Sequence, residues 1–189
     1  RLGNADHQAG ALAALNRLPY AKISTDQLLA ALRSYQLVYA RHGRVAPAET
    51  AAAVAALNPL YPHTDNYANR ELAEVLLFLN APGAVSKTVQ QVLSAVDVDQ
   101  GKILSDDILL RNDRYAAAAR RTEQFRPNVQ QVSQAFSLRS IKEGWTDADR
   151  ASYFSWFPRA KTWQGGNSFG IFIDNARKEA LALVANKAK

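Results

Sequence analysis

Every long apolar stretch of this chain has the spacing of an α-helix, and none has the strict alternation of a half-buried β-strand. Apolar residues recur every three or four positions, because an α-helix completes one turn in about 3.6 residues. Proline and glycine divide these stretches into short segments, so consecutive helices are expected to pack as antiparallel neighbours. The sequence predicts an all-α fold of about nine or ten helices, arranged as a HEAT-like α-solenoid or an irregular antiparallel array.

The best-defined helix is predicted over residues 24–43. Ser24 and Gln27 have the spacing of a capping box, and Gly43 supplies the left-handed residue that ends a helix. The apolar stripe of this helix consists of Leu28, Leu29, Leu32, Tyr35, Leu37, Val38 and Tyr39. Further helices are predicted over residues 5–18, 47–57, 69–80, 85–96, 105–111, 114–124, 127–144, 146–164 and 168–188.

Composition places the chain among ordinary globular proteins. Its 189 residues include 48% hydrophobic and 21% charged side chains, and no apolar run has the roughly 20 residues that span a bilayer. We therefore predict no membrane insertion, and one helical-repeat domain over residues 1–189 whose part 127–189 is basic and rich in aromatics. The absence of methionine indicates an excised or processed segment.

The residue chemistry does not indicate catalysis. The chain has no cysteine, which excludes thiolate sites. Its one G-x-S-x-G string, at residues 166–170, follows a predicted helix rather than the strand that a serine nucleophile elbow requires. The three histidines, at positions 7, 42 and 63, have no metal-ligand partner at helical spacing. An acidic stretch from Asp97 fails the EF-hand register, because Gly101 falls at the fifth position and Ile108 at the twelfth. We predict a non-catalytic chain without a metal or another cofactor.

Aromatic residues are concentrated between Trp145 and Phe172. Rings at helical spacing form core in most proteins, but helices this short cannot bury all of them, and large exposed apolar groups mark contact surfaces. The candidate interaction surface consists of Trp145, Tyr153, Trp163 and Phe169. Trp156 is predicted to be buried, Trp163 partly exposed, and Phe169, Phe172 and Ile173 are predicted to face the preceding aromatic helix across a turn at Gly165-Gly166.

Several segments resemble one family. They are residues 69–72, 77–83, 135–139, 144–146, 153–157, 165–169 and 175–181. These segments are similar to the HEAT-repeat-like region of large secreted bacterial proteins of the membrane-bound dehydrogenase type and the haem-binding c-type cytochrome type. The resemblance covers most of the chain and is strongest after Phe136. In that family a sugar-dehydrogenase-like β-propeller usually precedes the helical region, and a C-x-x-C-H cytochrome domain often follows it.

The resemblance implies an exported helical domain, periplasmic or extracellular, that acts as a spacer or docking surface between a dehydrogenase-like propeller and a cytochrome domain. It carries no catalytic residue to this chain, and oxidoreductase activity would belong to other domains. The expected partners are neighbouring domains of the same polypeptide or another protein. The alternative is a carbohydrate-binding or enzymatic module that uses the aromatic region, since rings stack on sugars. Nucleic-acid binding is not expected, because the basic residues are dispersed among acidic ones and lack interleaved aromatics.

Overall fold

The computed structural model describes residues 7–43, 47–97 and 113–185. These residues form nine α-helices and contain no β-strand, which confirms the all-α prediction. The helices are α1 (Gln8–Asn16), α2 (Thr25–His42), α3 (Pro47–Leu57), α4 (Asn66–Phe78), α5 (Ala84–Ser94), α6 (Asp113–Gln124), α7 (Val129–Leu138), α8 (Asp147–Ala160) and α9 (Phe169–Ala185). None of the helices in these ranges combines the length and the apolarity that crossing a membrane requires. The helix predicted over residues 105–111 lies outside the described residues.

The chain divides into two compact units. The first lies within Arg1–Thr88 and includes Glu143–Trp145, and the second lies within Val89–Lys142 and Thr146–Lys189. Helices α1 to α4 therefore belong to the first unit, α6 to α9 belong to the second, and α5 contributes residues to both. The single helical-repeat domain over residues 1–189 and its HEAT-like arrangement stay predictions.

In the first unit, α2 has the ends that its sequence predicts. The Ser24 Oγ atom accepts a hydrogen bond from the backbone N–H of Gln27, and the Gln27 side chain accepts one from the backbone N–H of Ser24 at 2.9 Å. Gly43 ends the helix with a φ of 71°, a conformation that favours glycine. Four predicted stripe residues are buried, but Leu37 is exposed because it lies off the face that Leu28, Leu32, Tyr35 and Tyr39 share.

Helix α2 packs against α1 and α4, and α1 also packs against α3. The buried Tyr35 hydroxyl donates a 2.6 Å hydrogen bond to Asn16 Oδ1, which ties α2 to the end of α1. Helix α4 begins at Asn66, three residues before its predicted start, because Asp65 caps it: the carboxylate accepts hydrogen bonds from the backbone N–H groups of Tyr67 and Ala68. Aspartate at this position was the signal for the earlier start.

In the second unit, α8 begins with the predicted capping box of Thr146 and Asp149. Its aromatic stripe of Tyr153, Trp156 and Phe157 is buried, and α9 packs against both α7 and α8. Helix α7 is shorter than predicted. It starts after Asn128, whose side chain caps it, and ends at Leu138 rather than near Gly144.

Candidate interaction surface

The four predicted surface residues have different environments. Trp145 belongs to the first unit, whereas Tyr153, Trp163 and Phe169 belong to the second. Trp145, Trp163 and Phe169 are half-buried. Tyr153 is fully buried and donates a 2.9 Å hydrogen bond to the backbone oxygen of Ala135, and this burial raises the pKa of its hydroxyl well above the usual range. Tyr153 is therefore a core residue and offers no surface to a partner.

The two tryptophans of this region pack against each other. The rings of Trp156 and Trp163 meet edge to face, with centroids 5.7 Å apart. Trp156 is buried and Trp163 is half-buried, as predicted. The guanidinium carbon of Arg159 lies 5.8 Å from the centre of the Trp163 ring. Trp163 thus covers the edge of the core rather than standing free of it.

Helix α7 buries three glutamines and leaves two large apolar side chains exposed. Its buried side consists of Gln130, Gln131, Gln134, Ala135 and Leu138. Val129 and Phe136 lie on the opposite side and are 40% and 37% exposed. A buried amide that forms hydrogen bonds costs little free energy, whereas each exposed apolar side chain forgoes the free energy that burial would supply. Apolar groups left outside in this way are typical of a contact surface.

Hydrogen bonds stabilise the buried Gln131. The Gln131 amide group donates a 2.9 Å hydrogen bond to the backbone oxygen of Ala95. Its Oε1 atom accepts hydrogen bonds from the Trp156 indole, at 3.0 Å, and from the Arg159 guanidinium. Nearby, Asp97 accepts a 2.7 Å hydrogen bond from the backbone N–H of Val129 at the start of α7. The side of α7 that carries Gln131 is therefore fixed by specific partners, and this directs Val129 and Phe136 outward.

Three phenylalanines on α7 and α9 form an aromatic patch: Phe136, Phe169 and Phe172. The rings of Phe136 and Phe172 stack with centroids 5.1 Å apart, and Phe172 also contacts Phe169 at 6.4 Å. Phe172 is 36% exposed. The prediction that Phe172 faces the aromatic helix α8 is wrong, because the ring stacks on Phe136 of α7. Ile173, one residue further on, is buried as predicted.

A salt bridge holds the patch in place. The guanidinium carbon of Arg139 lies 3.3 Å from the centre of the Phe136 ring, a close cation–π contact. Its Nε atom forms a 2.7 Å ion pair with Glu179 of α9, and another of its nitrogens donates to the backbone oxygen of Phe136. Arg139 thereby covers one face of the Phe136 ring and connects the two helices of the patch. That face of the Phe136 ring is therefore not open for stacking on a sugar.

Phe169 packs against the turn before α9. A Cβ atom on Gly165 would lie 2.5 Å from the Phe169 ring and 2.9 Å from Pro127, closer than real Cβ contacts come. Gly165 is therefore required for the ring to lie against the backbone. The next residue, Gly166, has a φ of 96°, and together the two glycines allow the reversal that the sequence predicts.

Titratable clusters are sparse in the part of the chain that the structure describes. No three histidine, aspartate or glutamate side chains come together there as a potential metal site. The His63 Nδ1 atom accepts a 2.9 Å hydrogen bond from the backbone N–H of Asp65, which is a local turn contact. His7 and His42 line one cleft of about 320 Å³ between α1 and α2. Because positions 7 and 42 are far apart in the sequence, the sequence alone does not predict that the two histidines line one cleft.

Trp163 and Phe169 stay predicted surface residues, and the sequence did not predict the exposure of Phe136 and Phe172. The spacing in α7 gives no clear signal, because Leu138 lies on the same side of the helix as the glutamines. No known protein family, curated protein or solved structure matches the chain.

Proposed function

We propose that this chain is a non-catalytic helical scaffold or interaction module, and that it docks another protein domain through the aromatic patch of Phe136, Phe169 and Phe172. The observation that supports this proposal most is the exposure of two stacked aromatic rings, Phe136 on α7 and Phe172 on α9. Adjacent apolar rings at a surface are typical of a contact site.

The rigidity of the patch also supports the proposal. Arg139 fixes Phe136 through a cation–π contact and connects it to α9 through Glu179. Binding to rings that are already ordered costs less conformational entropy than binding to mobile ones. Aromatic and arginine side chains are also enriched among the residues that dominate the energy of protein interfaces.

The resemblance to secreted dehydrogenase and cytochrome proteins suggests what the partner is. We propose that the chain has a HEAT-like arrangement, is exported, and separates a dehydrogenase-like propeller from a cytochrome domain in a larger protein. In this proposal the partner of the patch is one of those neighbouring domains or another protein of the same compartment.

Site-specific photo-crosslinking in the source cells tests the docking surface. Benzoylphenylalanine replaces Phe172 in the patch, and in a matched control it replaces Tyr67, an exposed ring of the first unit. We expect position 172 to give one defined crosslinked product and position 67 to give none. Equal labelling at the two positions, or no product at either, would contradict the proposal.

A further inference from the structure

A second concave surface lies in the first unit between α2 and α4. This cleft has a volume of about 260 Å³. Its lining residues are Gln36, Tyr39, Ala40, Glu74, Val75 and Phe78. A concave site with mainly apolar walls and a few polar groups is the usual form of a small-molecule site, and this volume suits a ligand smaller than a typical drug.

Two aromatic rings form one wall of the cleft. The centroids of Tyr39 and Phe78 lie 5.3 Å apart, and the ring planes are inclined by 36°. Phe78 is exposed, whereas Tyr39 is only 5% exposed. The Tyr39 hydroxyl is buried and has no hydrogen-bond partner among the described residues. The oxygen of this hydroxyl can accept a hydrogen bond from an N–H group, and no described residue supplies one.

Two carboxylates meet beside this wall. The side-chain amide of Gln36 donates hydrogen bonds both to Glu71 and, at 3.2 Å, to Glu74. The two glutamates are three residues apart on α4 and so lie on the same side of the helix. One amide group from α2 therefore holds two negative charges close together, although like charges at this spacing repel each other.

The nearby arginines do not neutralise this pair by direct contact. Arg33 donates a 3.4 Å hydrogen bond to Gln36 Oε1, and the Arg70 guanidinium lies over the ring of Tyr67. Neither arginine forms an ion pair with Glu71 or Glu74 in the described part of the chain. Partial burial, followed by the charge of Glu71, raises the pKa of Glu74, while Arg33 and Arg70 lower it. The net direction is upward, because the burial of Glu74 and the charge of Glu71 outweigh the two arginines.

We propose that the cleft between α2 and α4 binds a small organic cation, with an ammonium group on an apolar or aromatic body. The ammonium group would pair with Glu74 and approach the exposed ring of Phe78, where a cation–π contact adds to the ion pair. The apolar body would pack against Val75 and the ring of Tyr39. A bare metal ion fits less well, because only two carboxylates meet here and no group of three metal-ligating side chains occurs in the described part of the chain.

Titration followed by NMR tests this proposal with 2-phenylethylammonium as the probe. We expect saturable shifts of the backbone amides around Gln36, Tyr39 and Glu74. The neutral analogue 2-phenylethanol has the same ring and chain length without the charge, and we expect it to bind at least about fivefold more weakly. Shifts confined to other parts of the chain, or equal affinity for the alcohol and the amine, would overturn the proposal.

A pair of variants separates charge recognition from a structural effect. Glu74→Gln keeps the shape of the side chain and should weaken binding of the amine about fivefold, with little change for the alcohol. Glu143→Gln, an exposed change in the same unit, should leave both affinities unchanged. Thermal melts show whether each variant is folded. An amine affinity that is the same in the folded Glu74→Gln protein as in the unmodified protein would also overturn the proposal.

Discussion

The indole nitrogen of Trp156 donates a 3.0 Å hydrogen bond to the side-chain oxygen of Gln131, and both side chains are buried in the second unit. Trp156→Ala removes this donor and opens a cavity, so we expect it to lower the free energy of unfolding by about 3–5 kcal/mol. Trp163→Ala should cost only about 1–2 kcal/mol, because Trp163 is half-buried. Urea unfolding compares the two variants. A stable Trp156→Ala protein beside a severely destabilised Trp163→Ala protein would contradict this packing.

Two buried tyrosines differ in the partners of their hydroxyl groups. The Tyr153 hydroxyl donates a hydrogen bond to the backbone oxygen of Ala135, whereas the Tyr39 hydroxyl has no partner in the part of the chain that the structure describes. Removing a bonded hydroxyl leaves a buried carbonyl unsatisfied, so Tyr153→Phe should destabilise the protein by about 1–2 kcal/mol. Tyr39→Phe should be neutral or slightly stabilising at pH 7, because it removes an unsatisfied polar atom. Chemical denaturation of both variants measures the difference, and equal losses would count against these assignments.

Burial also predicts how stability depends on alkaline pH. It raises the pKa of Tyr39 from its ordinary value of 10.0 to about 12. Because the folded-state pKa is the higher one, the pH-dependent contribution of Tyr39 to the free energy of unfolding is fully present below pH 10. It is lost as the pH rises towards 12. Over that interval Tyr39→Phe should lose less stability than the unmodified protein, by roughly 1–3 kcal/mol. The free energy of unfolding is measured against pH for both proteins. Profiles that run parallel between pH 10 and 12 would show that Tyr39 is not buried in the folded state.

A new methyl group should be tolerated at Gly170, near the start of α9, and should not be tolerated at Gly165, in the turn before this helix. A Cβ atom at Gly165 would clash with Phe169 and Pro127, whereas nothing lies within 4 Å of a Cβ atom at Gly170. We expect Gly165→Ala to destabilise the protein by about 1–3 kcal/mol through this overpacking. Gly170→Ala, within α9, should be neutral or stabilising by up to about 1 kcal/mol. Thermal melts of the pair test this expectation, and similar melting temperatures would show that the Phe169 ring does not lie against Gly165.

Local signals in the sequence predicted most helix boundaries. Ser24 with Gln27, Thr146 with Asp149, and Gly43 each form the cap that their spacing indicates, because capping depends on residues within one turn. The predicted start of α4 is three residues too late, because the prediction relied on apolar periodicity and not on the capping residue Asp65. The acidic stretch after Asp97 lies outside the described residues. Asp97 itself binds the backbone of Val129 at the start of α7.

The candidate surface was harder to predict, because it depends on contacts between distant residues. Apolar spacing predicted that Phe172 faces α8 and did not show that Phe136 lies outside, since nothing local shows that Gln131 finds partners in Ala95 and Trp156. Once the glutamine side of α7 is bonded to the core, helical geometry turns Phe136 outward. In the same way, the convergence of Glu71 and Glu74 on Gln36 requires the packing of α4 against α2.

The affinity of the partner captured through position 172 tests the docking account most directly. Isothermal titration compares the unmodified protein with the double variant Phe136→Ala, Phe172→Ala, and Leu37→Ala serves as a control because Leu37 is exposed in the first unit. If the aromatic patch is the docking surface, the double variant should bind at least about 30-fold more weakly, and the control should bind normally. An unchanged affinity in a folded double variant would contradict the account.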